Sequence, residues 1–323
     1  MIGLERPDSG TIYIEGRNVI NTPIHERNVG LIFQNFGLFP HMTVFDNIAF
    51  GLKIKKYSED KIKKEVDEVM RIVGLEGLGD RMPKELSVGQ QQRVALARSI
   101  VVRPNILLYD EPLGNVEYSL QRKMLMEIKQ IHRKVGFTSI YVTHDQEQAM
   151  SLADKIMVMN QGMIEQIGSP NDVYFNPKSI FVAKFVGEVN MLKGKVKSLI
   201  EDSAIVETSV GEFEAKLRGR RIQAEKVAYA IRPERMIIGD SAKNCHNKLE
   251  AEIVESVYKG SDVNYIVKLQ DHSLFKISLQ GEVLKEKKLE GKVLIGWNSE
   301  DAILLDKPSI IPQIDIEKAI LGA

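Results

Sequence analysis

Three short apolar runs in the first half of the chain carry no polar alternation: Val29-Gly30-Leu31-Ile32-Phe33, Ile106-Leu107-Leu108-Tyr109 and Thr138-Ser139-Ile140-Tyr141-Val142-Thr143. Such runs read as strands of a mostly parallel sheet covered on both faces. Each ends in a polar group, Gln34, Asp110 with Glu111, or His144, at the strand end where open α/β sheets bind ligands. Between them the apolar period changes to that of a helix. Ser58 precedes an acidic first turn, and Ile62, Val66, Val69 and Val73 recur at helical spacing until Gly74. Leu120, Met124, Ile128, Ile131 and Val135 form a second stripe closed by Gly136. The methionines in these stripes are core filling.

Beyond Ala153 the pattern changes. Residues 156–159 and 163–167 flank Asn160-Gln161-Gly162, a hairpin signal. Gly168-Ser169-Pro170 opens a short helical passage to about Val186. From Asn190 onward the runs are short, β-branched and frequent, at 204–208, 227–231, 253–257, 264–269, 293–297 and 302–305. That texture predicts a small all-β domain, a barrel, after a boundary near 187–190.

Composition narrows the setting. A length of 323 residues suits two domains. Lys+Arg and Asp+Glu both number 44, so the formal net charge is zero, which does not argue for nucleic acid or an anionic membrane as main partner. Cys245 is the only cysteine; no intrachain disulfide is possible, and a reducing cytoplasm is the expected home. The chain has no apolar stretch long enough to span a bilayer and no secretory pattern at its start. A membrane role therefore requires a separate membrane-embedded partner.

The stretch Leu86-Ser87-Val88-Gly89-Gln90-Gln91-Gln92-Arg93 puts a Ser and a Gly in the first turn of a helix. Free backbone N–H groups, a hydroxyl and the helix dipole make such a turn a phosphate site. A plain Ser N-cap before a solvated Gln-rich face is the alternative. Seventeen residues past Arg93 come Asp110 and Glu111, paired acids suited to hold Mg²⁺ through one and activate water through the other. His144 is placed to touch a terminal phosphate oxygen, and Gln34 to reach Mg²⁺ or the attacking water.

Taken together these motifs resemble those of ATP-binding-cassette ATPases. Leu86 to Gln90 is similar to the signature motif, residues 106–112 to Walker B, Gln34 to the Q-loop and His144 to the switch histidine. The text Phe33-Gln34-Asn35-Phe36-Gly37-Leu38-Phe39-Pro40-His41-Met42-Thr43-Val44, with His144-Asp145-Gln146-Glu147-Gln148-Ala149, Phe185-Val186-Gly187-Glu188-Val189-Asn190 and Ile231-Arg232-Pro233-Glu234, resembles importers of sugars, polyamines, ferric iron and oxyanions. The resemblance implies a P-loop-type α/β nucleotide-binding domain with a helical subdomain over 1–187, incomplete at its start, and a transport-associated OB-like β domain over 188–323. It implies ATP and Mg²⁺ as cofactors, Asp110 and Gln34 at the metal, Glu111 as general base with His144, and Ser87, Val88, Gly89 and Gln90 on the nucleotide of an opposite subunit. The implied partners are a second copy, membrane permease subunits and, indirectly, an extracytoplasmic solute-binding protein, at the cytoplasmic face of a membrane. The loop after Gln34, around 36–41, is expected to expose Phe36, Leu38 and Phe39 and dock the membrane subunit.

The sequence departs from the family at Val88 (for Gly), Gly114 and Glu117 in Leu113-Gly114-Asn115-Val116-Glu117, and in having no G-x-x-x-x-G-K-[ST] stretch. The family places that loop just upstream of Gly3. The 323 residues by themselves are therefore expected neither to hydrolyse ATP nor to pack the first domain well. A nucleotide-incompetent binding or regulatory protein is the alternative function, and a soluble cassette ATPase of DNA repair or translation a third. The β domain and the loop after Gln34 weigh against the third. The regulatory motifs favour polyamine, iron or oxyanion over sugar as cargo.

Overall fold

The computed structural model describes residues 1–114, 116–280 and 289–309; Asn115 of the loop after Glu111 lies outside them. Contacts divide the chain into two compact units, Met1–Ala153 and Asp154–Ala323.

The first unit begins with a small antiparallel ladder, β1 (Tyr13–Ile14) and β2 (Arg17–Asn18). Then follow β3 (Val29–Ile32), α1 (Val44–Ile54), α2 (Glu59–Val73), α3 (Val88–Ile100), β4 (Ile106–Asp110), α4 (Tyr118–Val135), β5 (Thr138–Val142) and α5 (Gln146–Leu152). The sheet order is β3-β4-β5, all parallel, with Ile32 beside Tyr109 and Asp110 beside Val142. Helix ends follow local chemistry. Thr43 caps α1 by accepting the Asp46 N–H, and Gly74 and Gly136 close α2 and α4 in the left-handed conformation that glycine adopts without strain. Ile48, Leu52, Val66, Val69, Val94 and Leu107 belong to one buried cluster joining α1, α2 and α3 to the sheet.

One strand differs from expectation. β5 is not covered on both faces: Thr138, Ile140 and Val142 share one face, and all three are exposed. Among the described residues β5 pairs only with β4, so it is an edge whose apolar face has no covering layer.

The second unit opens with the predicted hairpin, β6 (Ile156–Asn160) and β7 (Met163–Gly168), turning through Gln161 and Gly162 at φ 46° and 77°, as a two-residue primed turn requires. The helical passage is two short helices, α6 (Pro170–Phe175) and α7 (Ile180–Phe185). Among the described residues ten strands follow: β8 (Asn190–Ile200), β9 (Ser203–Thr208), β10 (Gly211–Lys216), β11 (Lys226–Ile231), β12 (Ile237–Ile238), β13 (Asn247–Tyr258), β14 (Asp262–Lys268), β15 (Leu274–Gln280), β16 (Lys292–Trp297) and β17 (Ala302–Leu305). They form two five-stranded antiparallel sheets, ordered β10-β9-β8-β11-β17 and β12-β16-β13-β14-β15. Phe213, Tyr229, Phe275 and Trp297 fill one core between them. The Tyr229 hydroxyl there donates to the Glu214 carbonyl at 2.7 Å and accepts from Trp297 Nε1 at 2.9 Å, so its burial leaves no polar atom unpaired.

Arg232, only 1% exposed, holds the two helices onto this β unit. Its Nη1 donates to the carbonyls of Ala183, Gly187 and Glu188, its Nη2 to that of Tyr174, and its guanidinium lies over the Tyr174 ring. Among the described residues no helix is long and apolar enough to cross a membrane.

Candidate active site

The parallel sheet delivers its three polar ends to one place. Asp110 is the last residue of β4 and is exposed. Glu111 leaves the strand with φ 45°, a left-handed conformation that disfavours a glutamate. Two backbone bonds hold it there: its N–H donates to the Val142 carbonyl at 3.0 Å, and its carbonyl accepts the Gly114 N–H at 3.1 Å. The turned backbone aims the side chain across the strand ends, where Glu111 Oε1 lies 3.2 Å from Nδ1 of His144. Gln34 arrives two residues beyond β3. A Cβ on Gly114 would lie 3.0 Å from Gln34 Nε2 and 3.7 Å from Glu111 Oε2, so the amide and the carboxylate converge on the space that Gly114 leaves empty.

His144 is itself mostly exposed, and its loop is fixed through neighbours. The buried Gln148 of α5 accepts from the Tyr141 hydroxyl at 2.9 Å and the Thr143 hydroxyl at 3.4 Å. It also donates to Asp145 Oδ2 at 3.1 Å, while Asp145 caps α5 through the Gln148 N–H. The residues on both sides of the histidine are thus tied to one side chain. Beneath them Tyr109 and Tyr141 pack ring to ring at 5.4 Å, and burial pushes both phenol pKa values up. Among the described residues the buried Tyr109 hydroxyl has no hydrogen-bond partner.

The Ser87–Gln90 turn opens α3, and no described hydrogen bond or ion pair joins it to the Gln34–Glu111–His144 group. Ser87 forms a capping box: its Oγ accepts the Gln90 N–H, and its own N–H donates to Gln90 Oε1 at 2.9 Å. The plain capping role is therefore present. It leaves Val88 exposed and Gly89 with open space where a Cβ would stand, so none of the described residues fills the space beside Gly89.

Among the described residues no three His, Cys, Asp or Glu side chains cluster to hold a metal. Asp110 and Gln34 offer two hard oxygen donors at exposed strand ends, a partial set that suits a Mg²⁺ retaining waters and phosphate oxygens.

The expectation for the loop after Gln34 is not met as stated. Phe36 is buried against Ala95, Leu113, Met124 and Leu125, and Leu38 is partly buried beside the same cluster. Phe39 packs on Phe50 with ring centroids 4.7 Å apart. Beyond Gln34, the exposed residues of this segment are Asn35, Pro40 and His41. A chain reversal at Phe36 and Gly37, φ 61° and 56°, turns the apolar side chains inward.

The family described as ABC transporter matches residues 1–114, and the TOBE domain matches residues 229–305. The spermidine/putrescine import ATP-binding protein PotA of Thermotoga maritima is 36% identical over 312 residues, spanning 94% of this chain and 85% of the relative. This chain belongs to the ABC transporter ATPases. PotA of Lawsonia intracellularis is 44% identical over 271 residues, 83% of this chain and 73% of its own. The Fe(3+) ions import ATP-binding protein FbpC of Agrobacterium fabrum is 39% identical over 277 residues, 86% and 77% of the two chains. Among solved structures, cbiO1 from Clostridium perfringens, part of the ABC transporter complex cbiONQ, superposes with a TM-score of 0.50 at 28% identity, covering 57% of this chain and 73% of its own. The chain is thus an importer-type ABC ATPase: a P-loop-type α/β cassette followed by an all-β TOBE domain. Sequence reasoning missed the clearance at Gly114 and the Gln148 bracket. The spacing Asp145-x-x-Gln148, a helix-cap pattern, was the available signal for the second.

Proposed function

We propose that this chain drives uptake of a small cationic or metal solute, a polyamine or ferric iron, by hydrolysing ATP against a membrane permease. The meeting of Gln34, Glu111 and His144 at the ends of three parallel strands carries the catalytic half of this reading. The relatives named for spermidine/putrescine and for Fe(3+) import suggest the cargo. In this reading Glu111 takes the proton of the attacking water, and the Glu111–His144 contact orients the carboxylate and sets the imidazole beside the phosphate that leaves. Gln34 and Asp110 would hold a Mg²⁺ ion, which when bound would supply charge neutralisation for phosphoryl transfer. Ser87, Val88, Gly89 and Gln90 bind the nucleotide carried by a second copy, with N–H groups left over after the Ser87 cap. The cassette, 1–187, and the β domain, 188–323, act at the cytoplasmic face of the membrane, supplied by a solute-binding protein outside.

Residues 1–323 contain no G-x-x-x-x-G-K-[ST], so the test supplies a phosphate-binding loop of that pattern, joined ahead of Met1. Glu111→Gln should retain ATP binding and lower turnover by roughly 10²–10⁴, the contribution of a positioned base. Normal turnover in that variant would remove Glu111 from the role. Uptake of labelled spermidine, putrescine and Fe³⁺ by cells with and without the gene tests the cargo, and unchanged uptake of all three would overturn it.

A further inference from the structure

We infer that Arg98 is a positioning residue that makes the loop after Gln34 move with the helix that starts at Ser87. The inference rests on the transport reading above.

Arg98 lies on α3, ten residues past Val88, about 15 Å along the axis from the turn that offers its N–H groups. Its guanidinium leaves the helix and takes hold of the loop. Nη1 donates to the Gly37 carbonyl at 2.8 Å, and Nη2 to the Phe36 carbonyl at 3.0 Å. These are the two residues with consecutive positive φ, so the fork grips the loop at its point of reversal. The same group lies over the Phe39 ring, 5.1 Å from its centroid. Asn47 of α1 completes the hold: its Oδ1 accepts the Phe39 N–H at 2.9 Å, and its Nδ2 donates to the carbonyls of Phe39, Met42 and Thr43.

This is an unusual way to stabilise a fold. α1 and α3 already pack through Ile48, Leu52, Val94 and Ala97. Arg98 adds a half-buried cation to that contact, and among the described residues no carboxylate pairs with it. A half-buried cation facing neutral carbonyls gives up part of its hydration for modest return, whereas a rigid cross-link is what transmission of a displacement needs. A helix behaves as a stiff rod between its ends. When nucleotide draws in the Ser87 turn, Arg98 carries that movement to residues 36–39 without involving Gln34.

The first measurement needs no nucleotide: hydrogen exchange in the purified chain, comparing Arg98→Met and Arg98→Lys with the parent. The expected result is faster exchange over residues 33–42 in Arg98→Met, an intermediate effect in Arg98→Lys, and unchanged protection in α1. Unaltered exchange over 33–42 would overturn the inference. The second measurement uses the importer complex assembled around this chain, with the phosphate-binding loop supplied as in the Glu111 test, and placed in lipid vesicles. Solute moved per ATP hydrolysed should fall about fivefold in Arg98→Met and partly recover in Arg98→Lys. A ratio equal to the parent's, with exchange altered, would reduce Arg98 to a structural tie and overturn its coupling role. A parent complex with no solute-stimulated hydrolysis would overturn the transport reading and the coupling role with it, while the exchange measurement still decides whether the tie exists.

Discussion

Phe36 shows how a side chain's surroundings decide its role. An apolar loop beside Gly37 and Pro40 reads as a docking surface in a linear text, because burial inside the chain's own domain depends on α4, some ninety residues away. With Phe36 enclosed by Ala95, Leu113, Met124 and Leu125, Phe36→Ser should destabilise the first unit by about 3 kcal/mol, the range of a large-to-small core change with a hydroxyl added. Urea unfolding followed by tyrosine fluorescence would measure it; a variant as stable as the parent would place Phe36 back on the surface. Tyr109 predicts the opposite sign. Its buried hydroxyl has no partner among the described residues, so Tyr109→Phe should raise stability by about 1 kcal/mol in the same assay. At Gly114 the empty position touches the flexible end of Gln34 before any backbone, so Gly114→Ala should leave stability nearly unchanged. With the phosphate-binding loop supplied, it should lower turnover more than nucleotide affinity, because it displaces the amide from beside Glu111. Equal effects on both would show that Gln34 does not work there.

Among the elements, those that the text revealed are those whose period reports burial directly. The apolar runs of β3 and β4 and the stripes of α2 and α4 stand out because each packs through a regular set of positions, whereas β5 carries the same apolar text on a face left open. α1 and α3 were harder to read. α1 buries the polar Asn47, and α3 buries Gln92 and Ser99 along with its apolar residues, so neither shows a clean stripe. In the β unit, β8 and β15 escaped notice since their lysines and serines interrupt the alternation. The site was legible as residue types at strand ends, because parallel strands bring those ends together. The left-handed Glu111 was not, since its backbone is fixed by Val142 on another strand. α3 supplies a test at this scale. Ser87→Ala removes one cap bond and should cost about 1 kcal/mol without nucleotide present. A larger loss of ATP-dependent dimer formation than of thermal stability would support the ligand role proposed for the hydroxyl, and equal losses would leave it only the cap.

At the scale of the whole molecule, each unit carries its own buried clusters. A sequence boundary near 187–190 follows the change of texture from helix to strand, whereas Arg232 ties α6 and α7 to the β sheets through the carbonyls of Tyr174 and Ala183 and the Tyr174 ring. Limited trypsin digestion should leave a C-terminal fragment that begins near Lys155 and retains both helices. In Arg232→Ala the start of the resistant fragment should move toward Asn190. Digestion that trims the parent directly to residue 190 would show that the guanidinium does not hold them.

The open face of β5 bears on how the protein behaves in a test tube. Ile140 and Val142 present an apolar strand edge to solvent, on a chain whose charges sum to zero at neutral pH. A strand edge is a template for another strand, and a neutral particle has no long-range repulsion to keep its copies apart. Colloidal stability should therefore be poorest near pH 7 and improve on either side of it while the fold survives. Static light scattering against concentration would give a negative second virial coefficient at pH 7, and Ile140→Lys, a gatekeeper charge on that edge, should bring it toward zero. A positive coefficient in the parent would mean that the edge is already shielded in solution.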